Sequence, residues 1–171
     1  MSNVTATASI TSDLGFTLIR GGSNSQNESG GVDFSTALVN GTGSLGINYG
    51  VVSSGVIASG GKTYFDFRAL SKKMFDLTAI VQFNHIKSIL IENREQTSGV
   101  DFLVYATGAS TGLVQLFNGG SGNIRIKPRG YHAYSDPTGG LVVDASNREI
   151  VLDDVDGSGA AFTMVVVGVT G

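Results

Sequence analysis

Apolar and polar residues alternate along most of this chain with period two, the spacing of strands that bury one face. VTATASI (Val4–Ile10) alternates in this way, and LGFTLI (Leu14–Ile19) continues the pattern. GGSNSQNESGG (Gly21–Gly31) then contains no apolar side chain and is expected to be a flexible loop or linker. VDFSTALV (Val32–Val39) suits a strand or a short helical turn, NGTGSLGINYG (Asn40–Gly50) is turn-rich, and VVSSGVIA (Val51–Ala58) predicts a strand closed by Ser59-Gly60-Gly61.

From Lys62 the strand signals become dense. TYFDFRAL places Tyr64, Asp66 and Arg68 on one side and Phe65 and Phe67 on the other. FDLTAIVQF, HIKSILIEN, VDFLVYATG, LVQLFNGG, NIRIKP, LVVDA, EIVLDD and AFTMVVVGV follow, each break marked by Gly, Asn, Asp or Ser. Short strands with such turns predict an all-β fold, an antiparallel β-sandwich of jelly-roll-like type. Helix is nearly absent, with its best candidate a turn around RALSKKMFDL (Arg68–Leu77). No solenoid or propeller period is evident. The chain therefore divides into an extended, partly β N-terminal arm over 1–61 and a sandwich domain over 62–171. The arm has little core of its own. It either adds strands to the sandwich or lies on a neighbouring chain.

Composition sharpens this reading. The chain has 171 residues, a size that buries about 70% of the surface of the unfolded chain without disulfides or metals. Glycine is abundant (25 residues), proline scarce (2), and charged residues make up only 15%. So little charge suggests that part of the polar surface is used in contacts between chains. The net charge of −3 gives no electrostatic push toward nucleic acid or anionic membrane. The absence of cysteine excludes disulfides, thiolate metal sites and cysteine nucleophiles. Neither a signal peptide nor a membrane-spanning run is expected from the apolar pattern.

Motifs with catalytic potential lack their structural setting. Gly41-Thr42-Gly43-Ser44-Leu45-Gly46 has the dinucleotide spacing, but INYGVV follows where a helix must receive the pyrophosphate. Gly108-Ala109-Ser110-Thr111-Gly112 has the spacing of a hydrolase nucleophile elbow, but LVQLFN follows and reads as a strand. His85 and His132 are the only histidines that could serve as a base. Asp153, Asp154, Asp156 and Gly157 lack the spacing of a calcium loop and read as a polar hairpin turn between EIVL and AFTMVVV, with a weak cation site as the alternative. No catalytic residue, cofactor or metal is expected. The sequons at Asn3, Asn27 and Asn40 carry no meaning without a signal peptide.

Arg125, Lys127 and Arg129 share one face of NIRIKPRG if that strand is regular, with Ile124 and Ile126 toward the core. Such a row suits phosphate or an acidic protein partner, or simply a solvated strand face whose charges protect an edge. Without interleaved aromatics, direct nucleic-acid binding is not expected. Tyr131 and Tyr134 lie in an aromatic loop that is either an interface anchor or a lid over the sandwich end.

NGTGSLGINYGVVSSGVIASGGKTYFDFRAL, LTAIVQFNHIKSILIEN, NIRIKPRG and REIVLDDVDGSGAAFTMVVVGVTG follow one another in an order that resembles small virion proteins of tailed bacteriophages. The resemblance covers Asn40 to Gly171 and rests on strand patterning. It implies a jelly-roll-like sandwich of the capsid decoration or cement type, a structural rather than enzymatic protein. It further implies a major capsid protein as partner, a homo-oligomer (dimer or trimer), assembly in the host cytoplasm and residence in the virion. A tail or fibre component is the alternative within virion structure. A carbohydrate-binding β-sandwich or small hydrolase is the alternative outside it.

Overall fold

The computed structural model describes residues 8–19, 27–40, 46–47, 49–74, 77–107, 112–117, 122–136 and 138–170, with side chains from residue 50 onward except 72–79. Gly41–Leu45 of the first glycine motif, Ser110 and the sequon at Asn3 lie outside them. Packing divides the chain into two units, Met1–Asn40 and Gly41–Gly171.

In the first unit, β1 (Ala8–Ile19) and β2 (Asn27–Asn40) form an antiparallel hairpin, paired from Ala8↔Leu38 to Ile19↔Asn27. Asn27–Gly31, read from the sequence as loop, therefore belongs to a strand. Backbone N–H and C=O groups can complete a ladder without any apolar side chain.

The second unit contains β3 (Gly46–Ile47), β4 (Tyr49–Ile57), β5 (Lys62–Asp66), β6 (Leu70–Met74), β7 (Leu77–Val81), β8 (Phe83–Asn93), β9 (Phe102–Ala106), β10 (Asn123–Ile126), β11 (Tyr131–Ser135), β12 (Leu141–Val142), β13 (Glu149–Asp154) and β14 (Ala160–Thr170). One four-stranded sheet has the order β10-β9-β13-β5, and the other β11-β8-β14-β4, with β12 also pairing β8. All these pairings are antiparallel. Along the chain β4 joins the second sheet, β5 the first, β8 the second, β9 and β10 the first, β11 the second, β13 the first and β14 the second. This alternation is the connectivity of a jelly roll. The fold is the all-β antiparallel sandwich that the strand pattern predicts. β4 is one of its strands, so the second unit takes in residues that the sequence placed in the arm before 62.

The core lies between the sheets. Val51, Ile57, Ile89, Ile91, Phe162, Met164 and Val166 come from one side, and Phe65, Phe102, Val104, Ile150 and Leu152 from the other. The Phe65 and Phe162 rings meet edge-to-face across it, with centroids 5.6 Å apart.

Three local expectations are corrected. Arg68–Leu77 is not a helical turn, because β6 and β7 pair as a two-stranded antiparallel hairpin. Val114–Phe117 of LVQLFN is a short 3-10 turn that buries Leu116, not a strand. Asp153–Gly159 does not close a hairpin, because β13 and β14 belong to different sheets. It crosses the end of the sandwich beside the β4–β5 connection. There the buried Asp154 carboxylate accepts hydrogen bonds from the amides of Gly60 (2.7 Å) and Gly159 (2.9 Å), and Ser59 Oγ donates to the Gly157 carbonyl. The positive φ of Gly157 and Gly159, both 78°, is what lets the chain turn back on itself there.

Candidate functional site

Strand alternation gives each sheet an outer face, and the two are chemically different. On β5-β13-β9-β10 the cross-strand rows read Lys62–Asp153–Leu103–Arg125 and Tyr64–Val151–Tyr105–Asn123. Lys62 Nζ lies 2.9 Å from Asp153 and donates to Tyr105 Oη at 2.8 Å, and Tyr105 Oη donates to Asp153 at 2.9 Å. The hydrogen bonds to Tyr105 and Asp153 hold the Lys62 ammonium well above the usual lysine range. Burial opposes the Asp153 charge, but the bonds from Lys62 and Tyr105 outweigh it and lower its pKa. Burial raises the Tyr105 phenol, and the Asp153 charge adds to that rise. Arg148 lies 3.6 Å from Asp66 and 3.4 Å from Glu149, and Arg125 lies 3.3 Å from Asp101. This face satisfies its own charges.

The face of β4-β14-β8-β11 does the opposite. Its register lines up Val52, Val165, Leu90 and Ala133 in one apolar row across all four strands. The next row is Ser54, Thr163, Glu92 and Tyr131, and beyond it Val56 stands beside Ala161. Ser54 Oγ and Thr163 Oγ1 are 3.2 Å apart. Val52 is 61% exposed, Val56 70% and Tyr131 54%. Glu92 is the one charged residue in these rows. A face of this composition is suited to contacts made by shape and desolvation and not by charge.

No protein-family model matches the chain, and no curated protein matches it. Among solved structures, the Yersinia pseudotuberculosis-derived mitogen is similar at 8% identity and a TM-score of 0.34, over 70% of this chain and 86% of that one. A likeness this slight carries no functional argument.

The residues singled out in the sequence are dispersed. Arg125 is on β10, paired with Leu103 and ion-paired with Asp101. The strand ends at Ile126, so exposed Lys127 and Arg129 belong to the following turn and not to a strand face. Gly130 N donates to the Lys127 carbonyl at 2.8 Å, with Arg129 in the left-handed region (φ 61°). Ile126 is buried and Ile124 packs against the core, as their spacing predicts. Tyr131 and Tyr134 are not in a loop, as read from the sequence, but on strand β11, paired with β8, and Tyr131 projects outward from it. Tyr134, on the other side of that strand, packs against the core, and burial raises its phenol pKa.

His85 lies on β8 six residues before Ile91, the partner of His132, so the two imidazoles are set roughly 20 Å apart along the strand. Among the described residues, no three or more His, Cys, Asp or Glu side chains are grouped so as to hold a metal ion.

Sequence reasoning overlooked Val52, Val56, Leu90 and Val165. The signal of Leu90 and Val165 was present in SILI and MVVVGV, and that of Val52 and Val56 in VVSSGVI, where adjacent apolar residues occupy both faces of a strand. An antiparallel strand with one solvated face alternates apolar and polar residues, so an unbroken apolar run puts apolar side chains on its outer face as well.

Proposed function

We propose that this chain is a non-enzymatic virion structural protein of the capsid decoration type, which adheres to a shell of major capsid subunits through the outer face of β4-β14-β8-β11. The observation that carries the reading is the uncharged row Val52–Val165–Leu90–Ala133, set on a sandwich whose opposite face is closed by its own ion pairs. Jelly rolls are frequent in viral shells, which supports the reading at the level of fold analogy.

The mechanism is adhesive. Burying an exposed valine or leucine side chain contributes about 1.5–3 kcal/mol. Tyr131 supplies an amphipathic anchor at the β11 border, and Lys127 and Arg129 form a basic rim in the turn leading to it. A few such contacts are weak singly. A lattice that repeats the site converts them into stable occupancy through effective concentration. Shell and coat protein both assemble in the host cytoplasm, so no export step is required.

Co-sedimentation tests this. Purified chain is mixed with shells assembled from the major capsid protein of the same genome. Saturable binding at fixed stoichiometry is expected, and Tyr131→Ala and Ala133→Glu should each weaken it about tenfold or more with the fold intact by circular dichroism. A chain that stays in the supernatant at roughly 10 μM, well above a micromolar Kd, would overturn the reading.

A further inference from the structure

β4 ends its sheet. It is nine residues long, YGVVSSGVI, with no charged side chain and no proline. The other edge strands of the sandwich are better guarded: β5 carries Lys62 and Asp66, β10 carries Arg125, and β11 is only five residues long. An edge strand exposes a row of backbone N–H and C=O groups. Monomeric proteins normally block such a row with charge, proline, a bulge or brevity. β4 has none of the first two and is not short.

We propose that β4 pairs antiparallel with β4 of a second copy of this chain, across a twofold axis at Ser54. The register follows from the side chains. With Ser54 opposite the partner's Ser54, Val52 faces the partner's Val56 on the outer surface, and Val56 faces the partner's Val52. On the inner side Val51 faces the partner's Ile57 and Ser53 faces the partner's Gly55. Every pair joins like with like or small with small, the cross-strand chemistry that stabilises sheets. A shift of one residue would set outward side chains against inward ones. Recentring on Ser53 would set Val52 against the partner's Ser54 and lose both valine pairs.

A second observation lies at the same place. Between β4 and the turn after β5, the sandwich is open in a shallow cavity of about 240 Å³, lined by Ser53, Tyr64, Phe65, Asp66 and Leu70 among others. The core residues Phe65 and Leu70 form part of its wall. An added strand beside Ser53 covers this seam. It also prolongs the apolar row Ala133–Leu90–Val165–Val52 into the partner's Val56 and Ala161. The dimer stands whether or not the chain binds a shell, because its contacts are confined to the β4 edge, away from Tyr131 and Ala133.

The full-length chain tests this by sedimentation velocity. The wild type is expected to be dimeric at roughly 50 μM, where a micromolar Kd fills the site. Ser54→Lys and Ser54→Asp each set like charges on the axis, and each should raise Kd at least about tenfold. An equimolar mixture of the two should restore the dimer. The chain has no cysteine, so Ser54→Cys reports the register directly. It should cross-link on oxidation because facing strand residues lie within disulfide reach, while Val56→Cys, at a position also exposed, should not, because it faces Val52. A monomeric wild type, a Ser54→Lys variant that stays dimeric, or equal cross-linking at 54 and 56 would each overturn the proposal.

Discussion

The Asn93 side chain, fully buried at the end of β8, donates through Nδ2 to the backbone carbonyl of Ile126 at 3.1 Å and to that of Val100 at 2.8 Å. Its Oδ1 accepts from Glu95 N at 3.0 Å. One amide thus ties the second sheet to the β9–β10 pair of the first, at the end where Phe102 pairs with Ile126. Asn93→Leu removes the donor and strands both carbonyls. Each buried orphan costs about 1–3 kcal/mol, so a loss of about 2–6 kcal/mol in urea unfolding is expected. A loss under about 0.5 kcal/mol, typical of a surface change, would show that water replaces the amide.

The register of β14 against β8 shifts between Val167 and Gly168. At Gly168 a Cβ would lie 2.1 Å from the His85 carbonyl oxygen and 3.0 Å from the Phe83 ring. The carbonyl is backbone and cannot rotate away. Gly168→Ala is therefore expected to lower stability by about 1–3 kcal/mol or more, read as a fall in thermal midpoint, whereas Gly157→Ala meets only its φ penalty.

His132 lies half-buried on the inner side of β11, and its Nε2 is inaccessible and meets no hydrogen-bond partner among the described groups. Burial lowers its pKa below the ordinary value. The unfolded chain then binds the proton more readily, so stability is full above the unfolded value of about 6.5 and is lost as pH falls from there through the folded value. Urea midpoints at pH 8 and pH 5 should differ more for the wild type than for His132→Gln. Parallel profiles would show that the imidazole is solvated.

The Lys62–Asp153–Tyr105 cluster lies at the sheet surface, with 45% of the Lys62 side chain and 16% of the Asp153 side chain exposed. Asp153→Asn should cost no more than about 1 kcal/mol. Removing that charge should also lower the Tyr105 phenol titration, measured by ultraviolet absorbance. A larger stability loss would mean that the network holds the sheet as well as its surface.

Much of this architecture was legible in local pattern. Phe65 and Phe67 are buried and Tyr64 is exposed, as TYFDFR predicts. Tyr134 was legible only in part: aromatic character does not say which side of a strand reaches the core. Lys127 and Arg129 follow Arg125 at strand spacing, yet Pro128 and the turn closed by Gly130 end the strand first. The apolar edge of β4 went unnoticed because VVSSGVI reads the same at the centre of a sheet as at its border.

By itself the sequence determined the all-β class and most of the strands with their buried sides, because period-two alternation is a property of neighbouring residues. Only the tertiary structure decided that β13 and β14, adjacent in sequence, enter different sheets, that β4 ends one of them, and that Val52, Val165, Leu90 and Ala133 stand in one row. Those are relations between residues far apart along the chain. They are set by which pairings close the common core, and no local pattern encodes that choice.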